Sequence, residues 1–184
     1  LHLCDHNLEN ISDYNSNAKH DLLAEVCMAA KYEGDLIKTH HTEHQLTNHG
    51  FHTNICTVLA RSFADIGDII RGKDLFLGYN ERDRAQKKKL QDNLKDIFAK
   101  IYGELKGEAQ ERYNGDEDGN YYKLREDWWN ANRETVWKAM TCEAPESAHY
   151  FRATCNGGRL TYKKCHCIAG EVPTYFDYVP QYLR

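Results

Sequence analysis

The sequence predicts an all-α fold, a disulfide-stapled helical bundle with irregular flanking segments. Apolar residues recur at three- and four-residue steps through four long stretches, which is the pattern of amphipathic helices. Seven cysteines stand scattered along 184 residues instead of in two CxxC pairs, and such scattering favours disulfides over a zinc centre. With 41% hydrophobic residues and three prolines, a chain of this length is expected to fold around one core.

The first helix is predicted to start at Ala18, after a cap near Ser16 or Asn17. Its apolar stripe consists of Leu22, Leu23, Val26, Cys27, Ala30, Leu36 and Ile37. After a break at Gly50, the same periodicity predicts helices over 55–72, 84–105 and 121–141. Beyond Cys142 we expect irregular backbone, with a further helix starting near Tyr175 or Tyr178. The expected organisation is a lead-in over 1–17, a helical bundle over 18–142 and a disulfide-stapled segment over 143–184.

The cysteines also indicate the compartment, because disulfides persist in oxidising, extracellular surroundings. Seven is an odd number, so one thiol is free or its partner lies outside the chain. The abrupt ends at Leu1 and Arg184 favour a partner outside the chain. The sequence contains no run of about 18 apolar residues, so it predicts neither a signal peptide nor a membrane span. We therefore expect any membrane anchor to lie elsewhere.

Charge and motifs exclude several functions. The formal net charge of -4 argues against nucleic-acid binding, which needs a basic face. The chain has no GxSxG, GxxxxGK[ST] or GxGxxG motif. The acidic turn around Asp116, Glu117 and Asp118 lacks the ligand order of an EF-hand loop. We therefore predict no enzyme activity and no cofactor.

Two groups of residues suggest a metal site. The first is the histidine cluster, in which His40 and His44 are one helical turn apart; its members are His40, His41, His44, His49 and His52. The second is the run Cys165-His166-Cys167. Neither group has the spacing of a complete zinc site, so we predict solvated histidines, cysteines that staple loops, and no bound metal.

Positive charge is densest around residues 82–89, and a sulfated glycan is the ligand that such charge would bind. The candidate glycan-binding residues are Arg82, Arg84, Lys87, Lys88 and Lys89, with Lys163 and Lys164 as a second, smaller group. The alternative is a soluble helix surface, since acidic residues intersperse the cations.

Two further features are expected to be structural or exposed. Trp128, Trp129 and Trp137 lie on one predicted helix, where large rings usually belong to the core rather than to a ligand platform. The triplet that starts at Asn10 has the form of an N-glycosylation acceptor and falls in the lead-in.

Five sequence motifs, taken together, resemble those of a known protein family. They are LHLCD at 1–5, AAKYEG at 29–34, ARSFADIGDIIRG at 60–72, LREDWW at 124–129 and YFDYVPQYLR at 175–184. In this order they resemble the alpha-class Duffy-binding-like domain of the Plasmodium falciparum erythrocyte membrane protein one family. The resemblance implies the end of subdomain 1, most of the helical subdomain 2 and the entry to subdomain 3.

The resemblance also implies disulfides between Cys56 and Cys155 and between Cys27 and Cys142. Cys4, Cys165 and Cys167 would then pair with cysteines outside the chain. The motif residues themselves are expected to be scaffold. We expect Asp65, Asp68 and Arg71 to form buried or half-buried ion pairs, and Gly67 to allow close approach of two helices. The same structural role is expected for Arg125, Glu126 and Asp127.

The function that the resemblance implies is adhesion at the extracellular face of the infected erythrocyte, as part of a membrane-anchored variant antigen. Its expected ligands are heparan sulfate, blood-group sugars or complement receptor one, in cytoadherence or rosetting. Other expected partners are neighbouring domains of the same adhesin and antibodies, but no nucleic acid. The alternatives are a structural spacer that serves antigenic variation, and a metal-dependent enzyme built on the histidine cluster.

Overall fold

A computed structural model describes residues 18–47, 53–116 and 119–184. Several residues discussed above lie outside the described ranges. They are the lead-in with Cys4 and Asn10, and also His49, His52, Glu117 and Asp118. Within the described ranges, five helices follow one another: α1 Ala18–Thr47, α2 Ile55–Arg71, α3 Glu81–Glu104, α4 Glu108–Glu111 and α5 Tyr122–Met140. Two 3₁₀ turns, Phe176–Tyr178 and Gln181–Leu183, close the chain. In the described residues as a whole, β pairing is limited to two isolated bridges. The predicted all-α class is confirmed.

The helix boundaries follow their capping residues. The Asn54 side chain accepts a hydrogen bond from the Thr57 amide at the start of α2, and Gly72 ends that helix with φ 71°. Asn80 caps α3, which therefore begins at Glu81 instead of at the predicted Arg84. Near Tyr175 and Tyr178, where a further helix is predicted to start, the chain forms two short 3₁₀ turns, and Pro180 between them has no amide hydrogen to continue a helix.

The core confirms the prediction for the tryptophans. Trp128, Trp129 and Trp137 are buried, and the Phe63 ring lies 5.1 Å from Trp129 and 5.2 Å from Trp137, centroid to centroid. These contacts join α2 to α5 at the centre of the bundle. One residue of the predicted α1 stripe does not belong to the core, because Leu36 is 47% exposed.

Gly67 allows α2 and α5 to approach closely, as predicted. A Cβ atom at this position would lie 2.8 Å from two ring carbons of Trp129. Gly34 has the same role between α1 and α5, since its Cα faces the backbone of Met140.

The predicted ion pairs of the Asp-Ile-Gly-Asp region are also present. Arg71 is 2% exposed and lies 2.9 Å from Asp68 and 3.2 Å from Glu126. Asp65 is half-exposed and pairs with Arg184 at 3.4 Å. Burial raises the pKa of the Asp65 carboxyl, and the charge of Arg184 acts in the opposite direction. Arg184 thus holds the end of the chain against α2, whereas Arg71 joins α2 to α5.

Arg125 is held in the core by neutral acceptors. It donates to the Ile70 carbonyl at 2.6 Å, to the Ile69 carbonyl at 3.0 Å and to Gln91 Oε1 at 2.8 Å. Burial lowers the pKa of this guanidinium to about 10. Arg125 therefore binds the end of α2 to α3 and α5.

Asp177 fixes the C-terminal segment on the bundle. Arg133 binds its carboxylate through two nitrogens, at 2.7 and 2.8 Å, and Trp129 Nε1 donates to it at 2.8 Å. Arg71 donates to the Asp177 carbonyl. A buried carboxylate with this many donors replaces most of the hydration that it lost.

The disulfide pairing implied by the resemblance is wrong. Cys56 pairs with Cys165, and Cys155 pairs with Cys167. The reason lies in which chain segments meet. Asn54, next to α2, donates to the His149 carbonyl at 2.8 Å, and the amide of Cys165 donates to the neighbouring Ala148 carbonyl at 2.9 Å. Cys165 is thereby brought to the start of α2, while Cys155 and Cys167 meet within the C-terminal segment.

Cys27 and Cys142 remain free thiols. Gly34 lies against Met140, and Lys38 Nζ lies 3.9 Å from a Glu143 carboxylate oxygen, so Cys142 is level with Gly34 to Lys38 of α1. Cys27 is seven residues earlier, about 10 Å away along the helix axis. A disulfide needs Cα atoms within about 7 Å, so this register keeps the two cysteines apart.

Among the described helices, none combines the length and the apolar character that crossing a membrane would require.

Candidate functional site

The predicted glycan-binding segment lies in the first half of α3. Asn80 Oδ1 accepts from the Asp83 amide at 2.9 Å, and Glu81 and Asp83 place negative charge in the first helical turn. Both features stabilise a helix start, because they satisfy free amides and oppose the helix dipole. The cations that follow are therefore displayed on regular helix.

Helical geometry divides the five cations of this segment between two faces. Arg84, Lys87 and Lys88 are three or four residues apart and line one groove, which we call the α3 groove. Arg82 and Lys89 are seven residues apart on the other side of the helix, and both are exposed. The predicted patch is thus two smaller patches.

The α3 groove combines cations with an apolar lining. Its volume is about 460 Å³, and its remaining lining residues are Ile69, Asp74, Phe76, Leu77, Leu90 and Gln91. Lys87 Nζ lies 2.6 Å from Asp74 Oδ2 and 4.8 Å from the centroid of the Phe76 ring. Asp74 therefore offsets the charge of Lys87. No ion pair within the described ranges involves Arg84 or Lys88, so these two side chains supply the accessible positive charge.

The segment over 74–79 forms the opposite wall of the α3 groove. Leu77 and Tyr79 are each 73% exposed, and the Phe76 ring packs 4.8 Å from Tyr79. Gln181 holds this segment by accepting from the Leu75 amide at 2.6 Å and donating to Asp74 at 3.0 Å. Sequence reasoning missed this wall, although the apolar run Leu75-Phe76-Leu77 between Gly72 and Gly78 was a readable signal.

The second predicted group does not join the first. Lys163 and Lys164 each lie 3.5 Å from a Glu146 carboxylate oxygen, and Lys164 also donates to the Cys142 carbonyl at 2.9 Å. Neither lysine lines the α3 groove. Their charge is shared with Glu146, which makes them a weaker anion site than Arg84 and Lys88.

The metal candidates have other partners. His40 lies 3.5 Å from Glu43, and His41 Nε2 lies 2.7 Å from the Thr53 carbonyl oxygen. Ligand atoms of Cys155, Cys167 and Glu171 do lie within 4.8 Å of one another. The two sulfur atoms of that group are joined in a disulfide, and a disulfide offers no thiolate to a metal.

Solved structures share this fold. The NTS-DBL1(alpha-1) domain of Plasmodium falciparum membrane protein 1 (PfEMP1) from the varO strain is 50% identical, with a TM-score of 0.79 over 99% of this chain and 40% of that chain. The ICAM-1-binding PfEMP1 IT4var13 DBLbeta domain is 36% identical, with a TM-score of 0.71 over 100% of this chain and 39% of that chain. The fold is that of a disulfide-stapled helical adhesion domain.

A family model described as the Duffy binding domain matches residues 1–184, and the chain belongs to that family. The Duffy receptor of Plasmodium vivax (strain Salvador I) is 30% identical over 112 residues, which is 60% of this chain and 8% of that protein. The predicted resemblance to the alpha-class Duffy-binding-like domain is confirmed. The chain spans about two fifths of the solved domains that it matches.

Proposed function

We propose that this chain is part of a host-receptor-binding adhesion domain displayed at the surface of the infected erythrocyte, in cytoadherence or rosetting. Membership of the Duffy binding domain family is the observation that carries the proposal. Among the similar structures, a PfEMP1 DBLbeta domain is ICAM-1-binding. The ligand that we propose for this chain is a sulfated host glycan of the heparan sulfate type, bound at the α3 groove.

The geometry of the α3 groove supports that ligand. Arg84 and Lys88 lie one turn apart on regular helix and have no carboxylate partner among the described ion pairs, so both can contact sulfate groups. Phe76 and Leu77 give the groove an apolar wall beside the cations. The chain carries a formal net charge of -4, but Asp74, the acidic residue among the lining residues of the groove, pairs with Lys87 and not with Arg84 or Lys88.

The test compares two double variants of the same helix. Arg84→Glu with Lys88→Glu reverses the charge of the α3 groove, and Arg82→Glu with Lys89→Glu makes the same charge change on the opposite face. Binding to immobilised heparin is measured across a salt series, since screening weakens such contacts. We expect about a tenfold or greater loss for the groove variant and at most about a threefold loss for the control.

Equal losses in the two variants would mean that heparin responds to overall charge and would contradict a site in the α3 groove. Red-cell binding by the same proteins tests adhesion itself. Failure of the unchanged, disulfide-bonded protein to bind either heparin or red cells would instead favour the structural-spacer alternative.

A further inference from the structure

A second groove, of about 390 Å³, lies between α2 and two stretches of the C-terminal segment, and it shares no lining residue with the α3 groove. Two arginines line it, Arg61 and Arg152. Its aromatic lining residues are Tyr150, Phe151, Tyr175 and Phe176, and its hydroxyl-bearing ones include Thr57, Thr154 and Thr174. We call it the arginine–aromatic groove.

One wall of this groove is a fixed stack of side chains. The guanidinium of Arg152 lies 5.1 Å from the centroid of the Phe151 ring, and that ring lies 4.9 Å from the Tyr150 ring. The Tyr150 hydroxyl donates to Thr174 Oγ1 at 3.2 Å. Thr154 Oγ1 donates to the Pro173 carbonyl, and the neighbouring Cys155 is bound to Cys167. A wall held in this way loses little conformational entropy when a ligand binds.

The charge of the groove is positive and uncompensated. Arg61 and Arg152 are exposed, and no carboxylate pairs with either one within the described part of the chain. Phe151 and Tyr175 are 54% and 72% exposed, so their rings are accessible. The groove therefore offers two guanidinium groups and two exposed aromatic rings to one ligand.

We infer that the arginine–aromatic groove binds a sugar ring that carries a carboxylate. A guanidinium presents parallel N–H groups that match the two oxygens of a carboxylate. The exposed aromatic rings provide flat apolar surfaces for the C–H face of a pyranose. The volume is in the range of small-ligand sites. This inference extends the proposed recognition of host glycans to a second site, but it does not depend on the α3 groove.

The experiment measures binding of three glycosides to the disulfide-bonded 184-residue chain by saturation-transfer NMR titration. Methyl β-glucuronide and the methyl glycoside of N-acetylneuraminate carry the carboxylate, whereas methyl β-glucoside is the neutral match for the first. We expect a carboxylated glycoside to bind about tenfold or more tightly than the glucoside. Tighter binding of the glucuronide would indicate that the natural ligand is a glycosaminoglycan, and tighter binding of the neuraminate glycoside would indicate a sialylated glycan.

The variant Arg61→Gln with Arg152→Gln is expected to weaken binding of the acids about tenfold, and its fold is checked by circular dichroism. Arg159→Gln, an exposed arginine in the same stapled segment that lines another groove, is the matched control and should bind normally. The Arg84→Glu, Lys88→Glu variant should also bind the acids normally, which separates this inference from the heparin test.

Three results would overturn the inference. They are binding of both acids no tighter than that of the glucoside, absence of binding by both acids, and unchanged affinity for the tighter acid in the Arg61→Gln, Arg152→Gln variant. Tighter binding of the acidic peptide acetyl-Glu-Tyr-Glu than of either sugar acid would assign the groove to a protein ligand and would also overturn it.

Discussion

At the scale of single residues, the buried charges of this domain are tolerated because each one has donors or acceptors at hydrogen-bond distance. Asp177 is 1% exposed and is bound by Arg133 and Trp129. Arg125, also 1% exposed, is satisfied by carbonyl and amide oxygens. Removing one partner of such a group leaves the other charge buried without compensation. These residues are therefore scaffold.

At this scale we predict that the substitution Gly67→Ala lowers the stability of the protein. Replacing Gly67 by Ala places a Cβ 2.8 Å from the Trp129 ring, which is packed against Phe63 and has no room to move. Overpacking of this kind costs about 1–3 kcal/mol in the free energy of unfolding. Urea unfolding, followed by tryptophan fluorescence, measures the loss.

The control for Gly67 is Gly103→Ala near the end of α3, where nothing lies within 4 Å of the new Cβ. Removing a helical glycine there should be neutral or stabilise by up to about 1 kcal/mol. A Gly67→Ala protein as stable as the unchanged one would contradict the close approach of α2 and α5.

At the scale of elements, the two disulfides have different roles. Cys56–Cys165 joins the start of α2 to the C-terminal segment across 109 residues, whereas Cys155–Cys167 closes a local loop of 12. The first constrains how the segment sits on the bundle, and the second fixes the wall of the arginine–aromatic groove. Both also require an oxidising compartment.

Thiol labelling tests this pairing. In the native, non-reduced protein we expect iodoacetamide to modify the exposed Cys142 quickly and Cys27 slowly. Burial raises the pKa of the Cys27 thiol, and the thiolate is the reactive form. The four paired cysteines should stay unmodified in mass spectra.

Labelling in guanidinium without a reductant is the control, because Cys27 and Cys142 should then react at similar rates. Recovery of a peptide pair cross-linked through Cys27 and Cys142 would contradict the register of α1 on α5.

At the scale of the whole molecule, acid stability depends on the junction between α5 and the C-terminal segment. His166 lies there, hydrogen-bonded to Thr141. Burial lowers the pKa of the His166 imidazole, and the charges of Lys138 and Lys164 lower it further. The native state therefore holds this histidine neutral, while the unfolded chain protonates it near pH 6.5.

We predict that stability falls as the pH drops through about 6.5 towards the lower native pKa, because the unfolded chain then binds more protons. Glu126 acts only at lower pH. Burial raises the pKa of this carboxyl, but the hydrogen bond from Lys73 and the charge of Arg71 outweigh that effect and lower it. The measurement is urea unfolding at pH 7.5 and 5.5 for the unchanged protein and for His166→Gln. An equal loss in both proteins would exclude His166 as the cause.

The helical class, the four long helices, the tryptophan core and the roles of Gly67, Asp68 and Arg71 could be predicted from the sequence, although α3 begins three residues earlier than predicted. These features depend on periodicity, capping and side-chain volume, which are properties of neighbouring residues. Helical spacing alone could also have separated Arg84 and Lys88 from Arg82 and Lys89. The five family motifs also indicated a class of function, which periodicity and capping patterns do not indicate.

Sequence patterns do not indicate the disulfide partners, the offset of Lys87 by Asp74, or the groove that Arg61 and Arg152 both line. The separation in sequence is 109 and 12 residues for the two disulfides and 13 for Lys87 and Asp74, and in each case the meeting depends on which segments pack together. Cys165 reaches Cys56 because Ala148 and His149 bring it to the start of α2, and nothing near either cysteine in the sequence indicates that path. Local propensity sets the elements, whereas contacts over long sequence separations set the pairing and the sites.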